Sequence, residues 1–150
     1  MQPTDLTRSS RPVPQAPGFG VLAPLRDRLR IMVVDDMSTS RGMLLQGLDA
    51  LGCRRVFAAR DARAALTAIR MNPVDLVLAD YIMPDLDGLD LLEQIRKAPL
   101  LAGTGFVLIT GSTDPIIGER GRRLGINGVL AKPYSLRELR SVLETAIGRL

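Results

Sequence analysis

Four short apolar runs punctuate the chain: Ile31-Met32-Val33-Val34, Val74 to Ala79 interrupted only by Asp75, Phe106-Val107-Leu108-Ile109, and Val129-Leu130-Ala131. Short, nearly continuous runs of this kind are the pattern of strands buried on both faces of a parallel sheet. A weaker run, Arg55-Val56-Phe57-Ala58-Ala59, predicts one more strand. Between them, apolar positions recur at three- and four-residue spacing and predict five helices. The first runs from about Thr39 to Leu51, with Ser38 as N-cap, Gly52 as stop, and Met43, Leu44, Gly47, Leu48 and Leu51 facing inward. The second starts at the cap Asp61 and reaches about Met71, with Ala65, Leu66 and Ile69 inside. Leu89, Leu92 and Ile95 mark the third, which ends before Pro99. Asp114-Pro115 opens the fourth, Ile117 faces in, and Leu124-Gly125 closes it. Ser135 and Glu138 form a capping box for the last, whose Leu139, Val142, Leu143 and Ile147 face the core. Strands alternating with helices in this way mean a doubly wound parallel α/β domain.

The pattern fails before the first strand. Residues 1–28 hold Pro3, Pro12, Pro14, Pro17 and Pro24, two glycines and little periodicity. They read as a flexible, Pro-rich arm, leaving residues 29–150 for the domain.

Polar residues stand at the ends of four of the apolar runs: Asp35 with Asp36, Asp80, Thr110 and Lys132. Singly, each has an ordinary reading. Asp80 can cap a loop, Thr110 suits a strand, and Lys132 can be a surface lysine, although only it and Lys97 are lysines among twenty basic residues. Together they mean more, because the carboxyl ends of parallel strands emerge on one edge, where α/β sheets bind their ligands. Three carboxylates gathered there repel one another and raise one another's pKa. A hard divalent cation such as Mg²⁺, bound through oxygen, relieves that repulsion, and Lys132 supplies a compact positive charge. An oxygen cage beside a lysine and a hydroxyl suits a transferring phosphoryl group, with one carboxylate as nucleophile forming an acyl phosphate. Asp85 and Asp87 fit turn formation and helix capping better than metal binding.

Composition narrows the classes. Histidine is absent, which removes histidine bases, His-paired nucleophiles and His-based metal sites. The single cysteine, Cys53, allows no intrachain disulfide and suits a reducing cytoplasm. A net charge of +4 hints at nucleic acid. The aromatic residues Phe19, Phe57, Tyr81, Phe106 and Tyr134 do not interleave with basic positions, so direct nucleic-acid binding is not expected. No apolar run has the roughly 18 residues of a membrane span.

The set Val34-Asp35-Asp36, Leu78 to Gly88, Thr110-Gly111 and Lys132-Pro133 resembles the receiver domain of bacterial response regulators. Residues 35–41, Asp-Asp-Met-Ser-Thr-Ser-Arg, are similar to the start of the first helix in single-domain chemotaxis regulators of the CheY type. The likeness covers about residues 29–150. It implies a flavodoxin-like (βα)5 fold with strand order 2-1-3-4-5. Asp80 would be the phosphoacceptor, and Mg²⁺ or Mn²⁺ would be held by Asp35, Asp36, Asp80 and the Ile82 backbone carbonyl. Lys132 and Thr110 would bind the phosphoryl group, and the Lys132–Pro133 peptide would be cis. Two departures stand out. Val129 occupies the position three before the lysine where receivers usually carry an aromatic residue, and apolar Ile82 stands two after the acceptor, which implies slow dephosphorylation.

The expected function is a stand-alone, cytoplasmic response regulator of chemotaxis type, not an enzyme in the metabolic sense. It would be phosphorylated by a sensor histidine kinase or a histidine phosphotransferase, and be a monomer or a weak phosphorylation-dependent dimer. It would signal through the fourth predicted helix, fifth strand and fifth predicted helix, with Arg120, Arg122, Arg123, Val129, Arg137 and Arg140. The bland reading of those arginines is a solvated face. The alternatives are a phosphorelay intermediate or phosphate sink, an aspartate-nucleophile phosphohydrolase (which lacks its second acid at Ile82), and an interaction domain that no longer phosphorylates.

Overall fold

Each apolar run becomes a strand because its side chains have a hydrophobic layer to enter on either side. In the computed structural model, which describes residues 23–150, the strands are β1 (Arg30–Val34), β2 (Arg55–Ala59), β3 (Leu76–Asp80), β4 (Gly105–Thr110) and β5 (Gly128–Ala131). All are parallel, in the order β2-β1-β3-β4-β5. This is the doubly wound flavodoxin-like fold. Alternate side chains of the central strands feed two cores. Ile31, Val33, Leu76, Leu78, Val107 and Ile109 meet Leu44 and Leu48 of α2 (Ser38–Ala50) and Leu139 and Leu143 of α6 (Leu136–Ile147). Met32, Val34, Val77, Ala79, Phe106 and Leu108 meet α3 (Ala62–Met71), α4 (Gly88–Lys97) and α5 (Pro115–Arg123).

The expected caps at Asp61, Asp114 and Ser135 are present, the last as a reciprocal box with Glu138. α4 has a second box, between Asp87 and Asp90. The start of α2 differs. Ser38 lies inside the helix, and the N-cap is Met37, which makes no side-chain capping bond. The Met37 N–H instead reaches the Asp35 carboxylate at 2.9 Å. Met43 also departs from its inward assignment and is 61% exposed, because Leu44 and Leu48, four residues apart, aim α2 at the sheet.

Most of the proposed arm, residues 1–22, lies outside the described residues. Its last part does not behave as an arm. Leu25–Arg28 forms a short helix, α1, and Leu25 and Leu29 join the core beneath the sheet. Arg26 crosses Gly52, whose φ of +86° no β-carbon favours, and Arg54 pairs with Asp27 at 3.1 Å.

On the other side of the sheet, Arg96 at the end of α4 fastens three segments. Its Nε donates to the Leu124 carbonyl at 2.8 Å, Nη1 to Ala102 and Thr104 at 2.9 and 2.7 Å, and Nη2 to Gly125 at 2.9 Å. The planar guanidinium thereby satisfies carbonyls of two loops and of the end of α5, which α4 alone cannot reach. Arg96→Ala should cost about 3 kcal/mol in urea unfolding, because these acceptors are left unpaired. Arg96→Lys should recover only part of that, since an ammonium cannot serve four carbonyls in one plane.

Candidate functional site

The register of the sheet decides which strand ends meet. Val34 pairs with Ala79, Asp80 with Ile109, and Thr110 with Ala131. Asp35, Asp80, Thr110 and Lys132 therefore emerge within a step of one another along the carboxyl edge, although up to 97 positions separate them in the chain. Asp35 and Asp80 are buried, Asp36 is exposed, and one oxygen from each of the three lies within 4.8 Å of the others. Lys132 Nζ reaches Asp80 Oδ1 at 2.5 Å. The Lys132–Pro133 peptide is cis.

Burial is the main influence on the Asp80 carboxyl and pushes its pKa up. The hydrogen bond and charge of Lys132 pull it down, Asp35 and Asp36 push it up, and the balance lies above the usual carboxylate value. The donors are all oxygen, two of the three are buried, and one face is open through Asp36. That set fits a hard divalent cation completed by water and suits neither zinc nor a soft metal.

Thr110 is buried, and its Oγ1 accepts the Ser112 N–H at 3.0 Å. Ser112 Oγ accepts the Asp114 N–H at 3.2 Å, and Asp114 caps α5. A relay of side-chain turns thus runs from Thr110 to the start of α5. Beyond Asp80, Met83 is buried while Ile82 is 72% exposed. Asp85 adopts φ +73° and is held by Arg63, and Asp87 caps α4. Gly88 does more than break the chain. A β-carbon there would sit 2.6 Å from the Asp80 backbone oxygen and 3.2 Å from Tyr81 Cα, so only glycine lets α4 start against the end of β3.

The arginines expected on one face are not equivalent. Arg120 turns toward α4, where it pairs with Asp90 at 2.9 Å and Glu93 at 3.1 Å. Arg122, Arg123, Arg137, Arg140 and Val129 are exposed, with Arg140 reaching Glu144 at 3.4 Å. Three neighbours of the site were given no site role by the sequence. Ser40 donates to Asp35, the Arg41 guanidinium donates to the Asp35 carbonyl at 2.7 Å, and Tyr134 lines a cleft of about 330 Å³ with Met43, Ile109 and Lys132. Only the spacing to Asp35, five and six residues along the first turn of α2, could have suggested the first two.

The family model described as response regulator receiver domain matches residues 31–144. A probable chemotaxis protein CheY of Rhizobium etli is 30% identical over 126 residues, which cover 84% of this chain and 98% of that protein. A probable cyclic di-GMP phosphodiesterase of Vibrio cholerae is 32% identical over 115 residues, covering 77% of this chain and 26% of that larger protein. Among solved structures, the Vibrio cholerae chemotaxis protein CheY4 superposes with a TM-score of 0.74 at 26% identity, covering 79% of this chain and 98% of that one.

The raised Asp80 pKa carries a stability cost. The charged form is the one folding penalises, so the cost is full above the raised folded pKa and fades as pH falls toward the ordinary value of about 3.9. Asp80→Asn should therefore melt at a higher temperature than the parent at pH 7 in EDTA, and the gain should vanish by about pH 3. Equal melting temperatures at pH 7 would contradict this account.

Proposed function

The chain belongs to the family of response regulator receiver domains, and on that premise we propose that Asp80 is its phosphoacceptor in a chemotaxis-type pathway. The observation that carries this reading is the convergence of Asp35, Asp36 and Asp80 within 4.8 Å, with Lys132 on Asp80. Among the described residues no helix is long and apolar enough to cross a membrane.

Asp35, Asp36, Asp80 and the Ile82 backbone carbonyl are the groups that would hold Mg²⁺ or Mn²⁺. When bound, the cation neutralises the carboxylates and polarises the phosphoryl oxygens. The Asp80 oxygen not engaged by Lys132 attacks the phosphorus of the donor. The bond from phosphorus to the donor's leaving atom breaks, the donor departs with its electron pair, and an acyl phosphate remains. These 150 residues hold no histidine, so the group comes from a phosphohistidine outside them or from a small phosphodonor. Lys132 is placed to move from Asp80 Oδ1 to a phosphoryl oxygen, keeping the new charge paired. The Thr110 hydroxyl proton is free to donate to the phosphoryl group. Turning it there breaks the bond from Ser112 and loosens the relay into α5.

The signal then leaves through α5, β5 and α6, where Arg122, Arg123, Arg137 and Arg140 stand exposed around Val129. Val129 is too small to act as the rotating aromatic found at this position in most receivers. The exposed arginines instead offer an acidic partner a charged surface. Chemotaxis names attach to relatives matched over nearly their whole length, which supports effector binding over handing the phosphoryl group on.

With acetyl phosphate and Mg²⁺, the protein should give a shifted band on a phosphate-affinity gel, lost in Asp80→Asn and in EDTA. A band that survives Asp80→Asn would remove Asp80 as acceptor. Once the donor is removed the band should persist for minutes, because exposed, apolar Ile82 cannot orient water. Ile82→Asn should shorten that lifetime by roughly tenfold or more. A parent lifetime of seconds would contradict this role.

A further inference from the structure

Asp35 is 4% exposed, yet every polar atom it carries is engaged. Its N–H donates to the Ala59 carbonyl at 3.1 Å, and its own carbonyl accepts from Arg41 Nη1 at 2.7 Å. Its Oδ1 accepts the Met37 N–H at 2.9 Å, and its Oδ2 accepts the Ser40 hydroxyl. The backbone contacts and the Met37 bond come from main-chain geometry, except for the guanidinium of Arg41. Among the described residues, the Ser40 bond is the one side-chain hydrogen bond to the carboxylate, and it holds the second oxygen as Met37 holds the first.

Ser40 is the third residue of α2, half-buried, and lines the cleft beside Leu44, Ile109, Lys132 and Tyr134. Those neighbours form a largely apolar wall, so the hydroxyl finds its acceptor in Asp35. A carboxylate has about four lone-pair positions. Met37 and Ser40 take one on each oxygen, leaving one on each for a cation or the water between. Without Ser40, Oδ2 keeps no donor among the described residues, and the carboxylate, held by Met37 at Oδ1 alone, can turn under its repulsion from Asp80.

We propose that Ser40 is a positioning residue for the divalent cation, acting by fixing the Asp35 carboxylate toward Asp36 and Asp80. The assignment rests on the reading of those three carboxylates as the cation's ligands. Groups that orient ligands from behind typically carry tenfold to a hundredfold in metal affinity.

The test titrates the full chain with MgCl₂ alone, without phosphodonor, following backbone amide shifts at residues 35–37 and 80–82 by NMR. Ser40→Ala should bind Mg²⁺ at least about tenfold more weakly than the parent, while Ser40→Thr, which keeps the hydroxyl, should stay within about threefold. Circular dichroism of both variants in EDTA establishes that each is folded. A Ser40→Ala affinity within about threefold of the parent overturns the assignment alone. So does a folded Ser40→Thr as weak as Ser40→Ala, because volume rather than the hydroxyl would then matter. A parent that binds no Mg²⁺ at these residues sinks the cation reading and this assignment with it.

Discussion

Three carboxylates share a space less than 5 Å across, two of them out of water, and the fold must hold them there against their repulsion. The Asp80 carboxylate in particular is worse off folded than unfolded, chiefly because it is buried. The rest of the architecture supplies the means. Strands β1 and β3 are buried on both faces and paired in fixed register, so Asp35 and Asp80 cannot drift apart without opening both cores. Lys132 follows β5, which lies beyond β4, and pairs with one oxygen of Asp80.

What holds the edge rigid is mostly not at the edge. Gly88 lets α4 begin against the Asp80 carbonyl, which fixes the Asp80 backbone from behind. Arg96 ties the far end of α4 to the end of α5, and Arg120 ties the body of α5 back to α4 through Asp90 and Glu93. Between those anchors runs the segment from Thr110 to Asp114, secured by exposed or half-buried side-chain turns and no packed core. The scaffold is stiff where the acids sit and more lightly fastened between Thr110 and Asp114. A segment fastened in this way has the low local stability that the proposed switch would need.

Much of this was written in the chain. The strand runs were legible because parallel strands covered on both faces need uninterrupted apolar residues, and the caps at Asp61, Asp114 and Ser135 because their bonds are local. The acids at the strand ends were legible too, since β1 and β3 lead directly into them. Errors fell where two plausible local choices competed. Ser38 had the chemistry of a cap, but the Asp35 carboxylate, fixed by the sheet, took the Met37 N–H and the helix began one residue earlier. Met43 matched the apolar period, but the i, i+4 pair of Leu44 and Leu48 set the helix rotation.

Tertiary structure alone decided the rest, and for one reason. A side chain's partner across the fold depends on register and helix rotation, which sequence spacing does not encode. Arg120 looked like its exposed neighbours until α4 was beside it, and Arg96 showed nothing of the loops it fastens. Ser40 became part of the site only when α2 turned its hydroxyl onto Asp35. The sequence by itself determined the sheet, its two cores and which residues end its strands. How far apart those residues sit, which of them are out of water and what braces each one were settled by packing.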